Sequence, residues 1–187
     1  NLFGIEADFF YYSRRLEELN PIKRFDLLIE IFSKIHQIKK NSVLLIAGDG
    51  GEKENLIHLV KKKGLEQSVK FLGNIADATK LYCAADVLAI TSESESSSLV
   101  AIEAQTCGTR CVLSAGVPKE SIILKQTKRL PPNASVEEWC DALLDNSYEG
   151  IPIASVNDYE VHNMSKKIKE IYLEHYFEYK EDKDGNT

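Results

Sequence analysis

Strand-like and helix-like segments alternate along most of this chain, and that alternation admits few folds. Residues 43–47 and 87–90 are apolar at nearly every position, the mark of strands buried on both faces. Between such runs the spacing turns helical, as in Leu28, Ile31, Phe32 and Ile35. Strands are expected at residues 9–12, 43–47, 69–72, 87–90, 111–114 and 128–130. Each is followed by a helix: one carrying Leu28 to Ile35, then residues 52–63 stopped by Gly64, 76–84, 99–107, 119–124 and 135–144. Leu99, Ile102 and Cys107 mark one face of the fourth helix, and Ser135-Val136-Glu137-Glu138 opens the last with the form of a capping box. Strands alternating with helices predict an α/β fold, a doubly wound, Rossmann-like parallel sheet covered on both faces.

A chain of 187 residues with 43% hydrophobic content fills one sizeable core. The net charge of −6 argues against a nucleic-acid binder, which carries a basic stripe and a high pI. No apolar run approaches the ~20 residues of a membrane helix. The first residues, NLFGIEADFF, lack the form of a signal peptide, so a cytosolic protein is expected. Cys83, Cys107, Cys111 and Cys140 show no C-x2-C pairing and are expected to be reduced core residues. His36, His58, His162 and His175 form no metal pattern and are expected at surface or boundary positions.

Ligands of open parallel sheets bind outside the carboxyl ends of the strands. After the first expected strand stand Arg14, Arg15, Lys23 and Arg24, four cations in an acidic chain, which favour an anionic ligand over a merely solvated patch. That loop has no glycine, which counts against dinucleotide binding. Gly48-Asp49-Gly50 and Gly73-Asn74-Ile75 follow the next two strands and permit close backbone approach, although plain turns use the same residues. Glu95 and Glu103 stand eight positions apart across the junction between the fourth strand's loop and its helix. The helix start near Ser98 offers backbone N–H groups to a phosphate, and the flanking carboxylates suit sugar hydroxyls. Glu93 lies nearby at a spacing that does not fit.

Glu95 and Glu103, within TSESESSSLVAIEAQTCGTRCVLSAG, resemble the E-x7-E element of glycosyltransferase family 4, the group 1 enzymes of GT-B architecture. The words AIEAQTCG, CVLSAGVPKE and LPPNASVEEW resemble a subgroup that builds bacterial exopolysaccharide and capsule, and NPIKRFDLLI, LIAGDG and VKFLG fall in the family's order. The resemblance spans about residues 9–145. It implies that residues 1–150 form a single GT-B lobe, the nucleotide-sugar-binding C-terminal one, with residues 151–187 a C-terminal helix and polar tail. The helix, at about 156–177 with Met164, Ile168, Ile171, Tyr172 and His175 on one stripe, packs either on its own sheet or against another lobe.

The same resemblance gives residues their expected roles. Lys23 and either Arg14 or Arg15 hold the diphosphate, with Lys23, Arg15 and Glu95 the catalytic set. Glu103 accepts hydrogen bonds from the ribose hydroxyls, and Glu95 either contacts a donor-sugar hydroxyl or supports the developing charge. Gly48, Gly50, Gly73, Asn74, Ser97, Ser98 and Leu99 line the nucleotide sugar. The chain departs from the family in carrying Ser96-Ser97-Ser98 for Gly-Phe-Pro and Ala115-Gly116-Val117 for a double glycine. The implied function is a retaining, metal-independent hexosyltransferase moving sugar from a nucleotide sugar, expected to be a UDP-sugar, to a saccharide or lipid-linked acceptor. No cofactor and no nucleic acid take part. An N-terminal acceptor-binding lobe is the implied partner, and the implied location is cytoplasmic, peripheral to the inner face of the plasma membrane. A non-catalytic doubly wound nucleotide-binding or regulatory module is the alternative, because the fold alone implies no function.

Overall fold

In a computed structural model of the chain, residues 21–75 and 78–145 are described, all within the first of the two units, residues 1–150 and 151–187, into which the chain divides. The expected first strand at 9–12, the arginines Arg14 and Arg15, and the C-terminal helix and tail lie outside the described residues.

The described chain runs α1 (Phe25–Ile38), β1 (Leu44–Ala47), α2 (Lys53–Lys62), β2 (Val69–Gly73), α3 (Thr79–Ala84), β3 (Val87–Ile90), α4 (Leu99–Thr106), β4 (Arg110–Ser114), β5 (Lys128–Leu130) and α5 (Val136–Leu144). A 3-10 turn, Pro21–Lys23, leads into α1 and another, Lys119–Ser121, follows β4. All strand pairs are parallel: β1 with β2, and β3-β4-β5 in that order. This is a Rossmann-like α/β fold, parallel strands with flanking helices.

β1 and β3 are buried at every position, as their unbroken apolar runs require. β2 and β5 are only partly buried and carry Lys70, Lys128 and Arg129. α1 turns Phe25, Leu28, Ile29, Ile31, Phe32 and Ile35 into the core and packs on α5, whose Trp139, Cys140 and Leu143 are buried. Ser135 caps α5 by the predicted box: its Oγ accepts from the Glu138 amide at 3.2 Å, and Glu138 Oε2 accepts from the Ser135 amide at 2.7 Å. No helix among the described residues is long and apolar enough to cross a membrane.

Three expectations are corrected. The helix at 119–124 is only the 3-10 turn Lys119–Ser121, since Gln105 Oε1 captures the amides of Ile123 and Leu124 at 3.0 Å each and draws the backbone out of helical register. The inner face of α4 is Ala101, Ala104 and Gln105, while Leu99 is 51% exposed and Ile102 and Cys107 are half-buried. Small residues there let the helix lie against β3 and β4. Cys111 and Cys140 are buried, but Cys83, at the end of α3, is exposed.

Candidate functional site

The loops leaving β3 and β4 and the turn entering α1 are bound together at the carboxyl edge of the strands. Thr91, the residue after β3, shares its hydroxyl proton between the carbonyls of Lys23 and Arg24 at 3.0 Å each, and the Glu93 amide donates to the Ile22 carbonyl at 2.8 Å. Two ion pairs reinforce the junction: Lys23 Nζ to Glu95 Oε1 at 3.0 Å, and Arg24 Nη1 to Glu93 Oε1 at 2.9 Å. The first is the more protected, with side chains 18% and 13% exposed. Glu95 Oε1 also accepts from Ser92 Oγ at 2.7 Å. Lys23 and Glu95, far apart in sequence, are thus brought into contact. The hydrogen bond that the Arg24 guanidinium donates to Asp26 first, and the one it donates to Glu93, raise its pKa above the ordinary value.

Gly116 fixes the loop from the other side. A Cβ there would sit 2.4 Å from the carbonyl oxygens of both Ser92 and Glu93, so no side chain fits without moving that backbone. The Gly116 carbonyl accepts from the Glu95 amide at 3.0 Å, and Ser114 Oγ donates to the Ser92 carbonyl. Within Ala115-Gly116-Val117, position 116 therefore has no room for a side chain.

α4 begins at Ser98, whose Oγ accepts from the Ala101 amide at 3.4 Å and whose own amide donates to Ser121 Oγ at 3.0 Å. The amides of Leu99 and Val100 belong to the first turn, outside the helix's own ladder, at the positive end of its dipole. Ser98 is buried, while Ser97 and Leu99 are exposed beside it. One turn on, Glu103 is half-buried, with Oε2 accepting from the Tyr82 hydroxyl of α3 at 3.1 Å. Below it burial, followed by contact with Cys83, pushes the Cys107 thiol up to about 12.

Behind α4, the fully buried Gln105 is a hub that the sequence reading passed over. Its amide donates to the carbonyls of Ala101 (2.8 Å) and Ser121 (2.9 Å), and its oxygen accepts from Ile123, Leu124 and Thr127 Oγ1 (2.8 Å). It holds the segment whose Ser121 meets the Ser98 amide, so it supports the head of α4 from within. A glutamine four residues after Ala101 and next to Ala104, on the face of small residues, was the available signal.

At the ends of β1 and β2, the Gly48 amide donates to the Gly73 carbonyl at 2.8 Å, joining the two glycine loops by an isolated bridge. Gly50 donates to Asp49 Oδ1, and Asn74 is exposed. The hydrogen bond from Lys53 and that from the Gly50 amide lower the Asp49 pKa. Among the described residues no group of three or more His, Cys, Asp or Glu side chains is arranged to hold a metal ion. The arrangement joins a lysine, a glutamate it neutralises, a helix N-terminus and a second glutamate beside a tyrosine, groups suited to an anion flanked by hydroxyls.

The family of glycosyl transferases group 1 matches residues 6–147, and the chain belongs to it. It is 34% identical over 149 residues to a D-inositol 3-phosphate glycosyltransferase of Mycobacteroides abscessus, covering 75% of this chain and 32% of the relative. It is 32% identical over 106 residues to an N-acetyl-alpha-D-glucosaminyl L-malate synthase of Bacillus anthracis, covering 56% of this chain and 28% of the relative. The chain spans about a third of the length of these curated relatives. Its fold is that of GT-B glycosyltransferases. Anabaena HepE in complex with UDP and glucose superposes with a TM-score of 0.72 at 22% identity, over 90% of this chain and 48% of that one. The pneumococcal O-GlcNAc transferase GtfA in complex with UDP and GlcNAc superposes with a TM-score of 0.73 at 21% identity, over 91% and 36%.

Proposed function

We propose that this chain is the nucleotide-sugar-binding lobe of a retaining, metal-independent hexosyltransferase of bacterial surface-polysaccharide or capsule biosynthesis, with a UDP-sugar as donor. The observation that carries the reading is the contact between Lys23 and Glu95 at the carboxyl edge of the strands, next to the head of α4 and in the same chain segment as Glu103. The solved neighbours bound to UDP favour uracil as the base.

In this reading the diphosphate takes Lys23 and the first-turn amides of α4, with Arg14 or Arg15 adding charge. Glu103, oriented by Tyr82, accepts the ribose hydroxyls, and Glu95 meets the sugar. Gly48, Gly50, Gly73 and Asn74 border the nucleoside, and Ser97, Ser98 and Leu99 the sugar phosphate. When the bond from the anomeric carbon to the diphosphate oxygen breaks, negative charge grows on the diphosphate, and as the acceptor hydroxyl oxygen bonds that carbon its proton passes to the released diphosphate. Fixed cations and helix amides stabilise that charge without reorganising. The Lys23 to Glu95 pair exchanges on binding, because a diphosphate outcompetes one carboxylate for the ammonium.

The acceptor, a saccharide or lipid-linked hydroxyl, is presented by a separate N-terminal lobe, and the chemistry takes place at the cytoplasmic face of the membrane. Calorimetry with UDP, GDP and ADP, each with and without chelator, tests the reading. UDP should bind, with chelator leaving its affinity unchanged, and a strict magnesium or manganese requirement would overturn the metal-free mechanism. The chain alone should bind donor without transferring sugar to a lipid-linked acceptor, since the lobe that supplies acceptor proximity is separate. Robust acceptor-dependent turnover by the chain alone would refute the half-site reading.

A further inference from the structure

Arg24 is the one residue other than glycine with a positive φ among the described residues, at φ 53° and ψ 44°. A residue with a Cβ stays in the left-handed region only where its surroundings over-determine it. Here they do. The Arg24 amide donates to the Pro21 carbonyl at 3.0 Å, its carbonyl accepts from the Leu28 amide at 3.1 Å and from Thr91 Oγ1, and its guanidinium is held by Asp26 at 3.2 Å and Glu93 at 2.9 Å.

Strain of this kind invites a functional explanation, and two are open. The guanidinium is itself a ligand for an anion, or the turn exists to direct its neighbour. The charges decide between them. Arg24 faces two carboxylates, and the cavity of about 260 Å³ beside it is lined by Asp26, Glu52 and Glu93 as well as Ile22 and Phe25. That surface carries net negative charge and repels a phosphate. Lys23, one residue earlier, goes the other way, to the more protected Glu95. Successive cations reach Glu95 and Glu93, which fixes the register of the α1 turn against the loop after β3.

We propose that Arg24 is a positioning residue: its left-handed backbone, locked by Glu93 and Asp26, aims Lys23 into the site, and its guanidinium does not touch the ligand. The proposal rests on the reading of Lys23 as a diphosphate ligand. It separates the effects of glycine and alanine at one position. Glycine adopts the left-handed conformation without strain, so Arg24→Gly keeps the turn although both ion pairs are gone. Arg24→Ala loses the same ion pairs and keeps the strain, so the turn relaxes and Lys23 is released.

In calorimetry with UDP, Arg24→Ala should weaken binding by about tenfold, the scale of one lost charge-assisted hydrogen bond, and Arg24→Gly should stay within about twofold of the parent. Equal losses in both would make the guanidinium a ligand and overturn the proposal, and so would no loss in either. A ligand-free measurement keeps this apart from the function itself. In lysine-ammonium NMR spectra, with Lys23 assigned by Lys23→Arg, the hydrogen-bonded signal should persist in Arg24→Gly and vanish in Arg24→Ala. If that contrast holds while the parent binds no UDP, the proposed function fails and the positioning role stands. If the contrast is absent, the positioning role fails whatever UDP does.

Discussion

Replacing Gln105 by alanine should cost about 2–4 kcal/mol of folding stability. Five hydrogen bonds end on this side chain. The Ala101 carbonyl keeps its helical partner and Thr127 can turn toward water, so two stranded groups matter most: the Leu124 amide and the Ser121 carbonyl, both on buried residues. Each costs about 1–3 kcal/mol when left unpaired, and a water entering the vacated space returns part of that. The net is a large share of the roughly 5–15 kcal/mol that holds a domain together. Urea unfolding followed by the fluorescence of Trp139, the chain's single tryptophan and 2% exposed, measures it. The midpoint should fall with the slope unchanged. Gln105→Glu sharpens the test: at neutral pH its carboxylate still accepts but faces the Ser121 carbonyl with no proton to give. It should be at least as unstable as the alanine variant, and regain stability as pH falls and the carboxyl protonates. Because Ser121 holds the Ser98 amide, UDP affinity should drop along with stability. An alanine variant within about 0.5 kcal/mol of the parent, the range of an ordinary surface change, would refute the hub.

Glu103→Ala should weaken UDP binding by about 1.5–3 kcal/mol with little loss of fold, the scale of a hydrogen bond to a charged group. Glu95→Ala should leave UDP nearly unaffected and remove the extra affinity that the sugar confers; calorimetry showing both variants equal to the parent for UDP and UDP-sugar would sink the E-x7-E assignment. Gly116→Ala should destabilise by about 1–3 kcal/mol, as overpacking does, and displace the loop carrying Glu95; an unchanged melting temperature argues against the close approach. The thiols set an alkaline limit. Burial and Cys83 push Cys107 up to about 12, and burial raises Cys111 and Cys140. Above the ordinary thiol range the unfolded chain loses protons that the folded chain keeps, so the slope of stability against pH is negative. Stability should be full below about pH 8.5 and decline from there toward pH 12. Cys111→Ala should flatten the decline in urea titrations under reductant.

What the sequence disclosed was local. Unbroken apolar runs marked β1 and β3, and Ser135 with Glu138 marked the start of α5 to the residue, because burial on two faces and a reciprocal cap each leave a pattern within a few positions. Glu95 and Glu103 stood out through the E-x7-E resemblance and Lys23 through its place at a helix start, and the structure sets Lys23 and Glu95 in contact. The pairing of Arg24 with Glu93 was not legible. It joins residues 69 positions apart through a backbone conformation that arginine rarely adopts, and Glu93 read as misplaced because only its distance from Glu103 was weighed. The same limit explains residues 119–124. Their helical pattern is overruled by Gln105, 18 and 19 positions away from the amides it captures. On α4 the face marked by Leu99, Ile102 and Cys107 is not the buried one: the helix lies against β3 and β4 through Ala101, Ala104 and the hydrogen-bonded Gln105.

The packing of α1 on α5 has a consequence for biosynthesis. Cys140 Sγ approaches the Ile31 carbonyl at 3.7 Å and Lys34 pairs with Glu137, contacts that close a segment of more than 100 residues. At about 5–20 residues per second, a ribosome needs roughly 5–20 s to pass from one helix to the other. Through that interval α1 lacks the helix it packs on, so the nascent chain presents an apolar helix that invites chaperone capture. A truncation just before α5 would make that exposure permanent, and such a product should aggregate or be degraded even though the strands and loops of the binding site had all been synthesised.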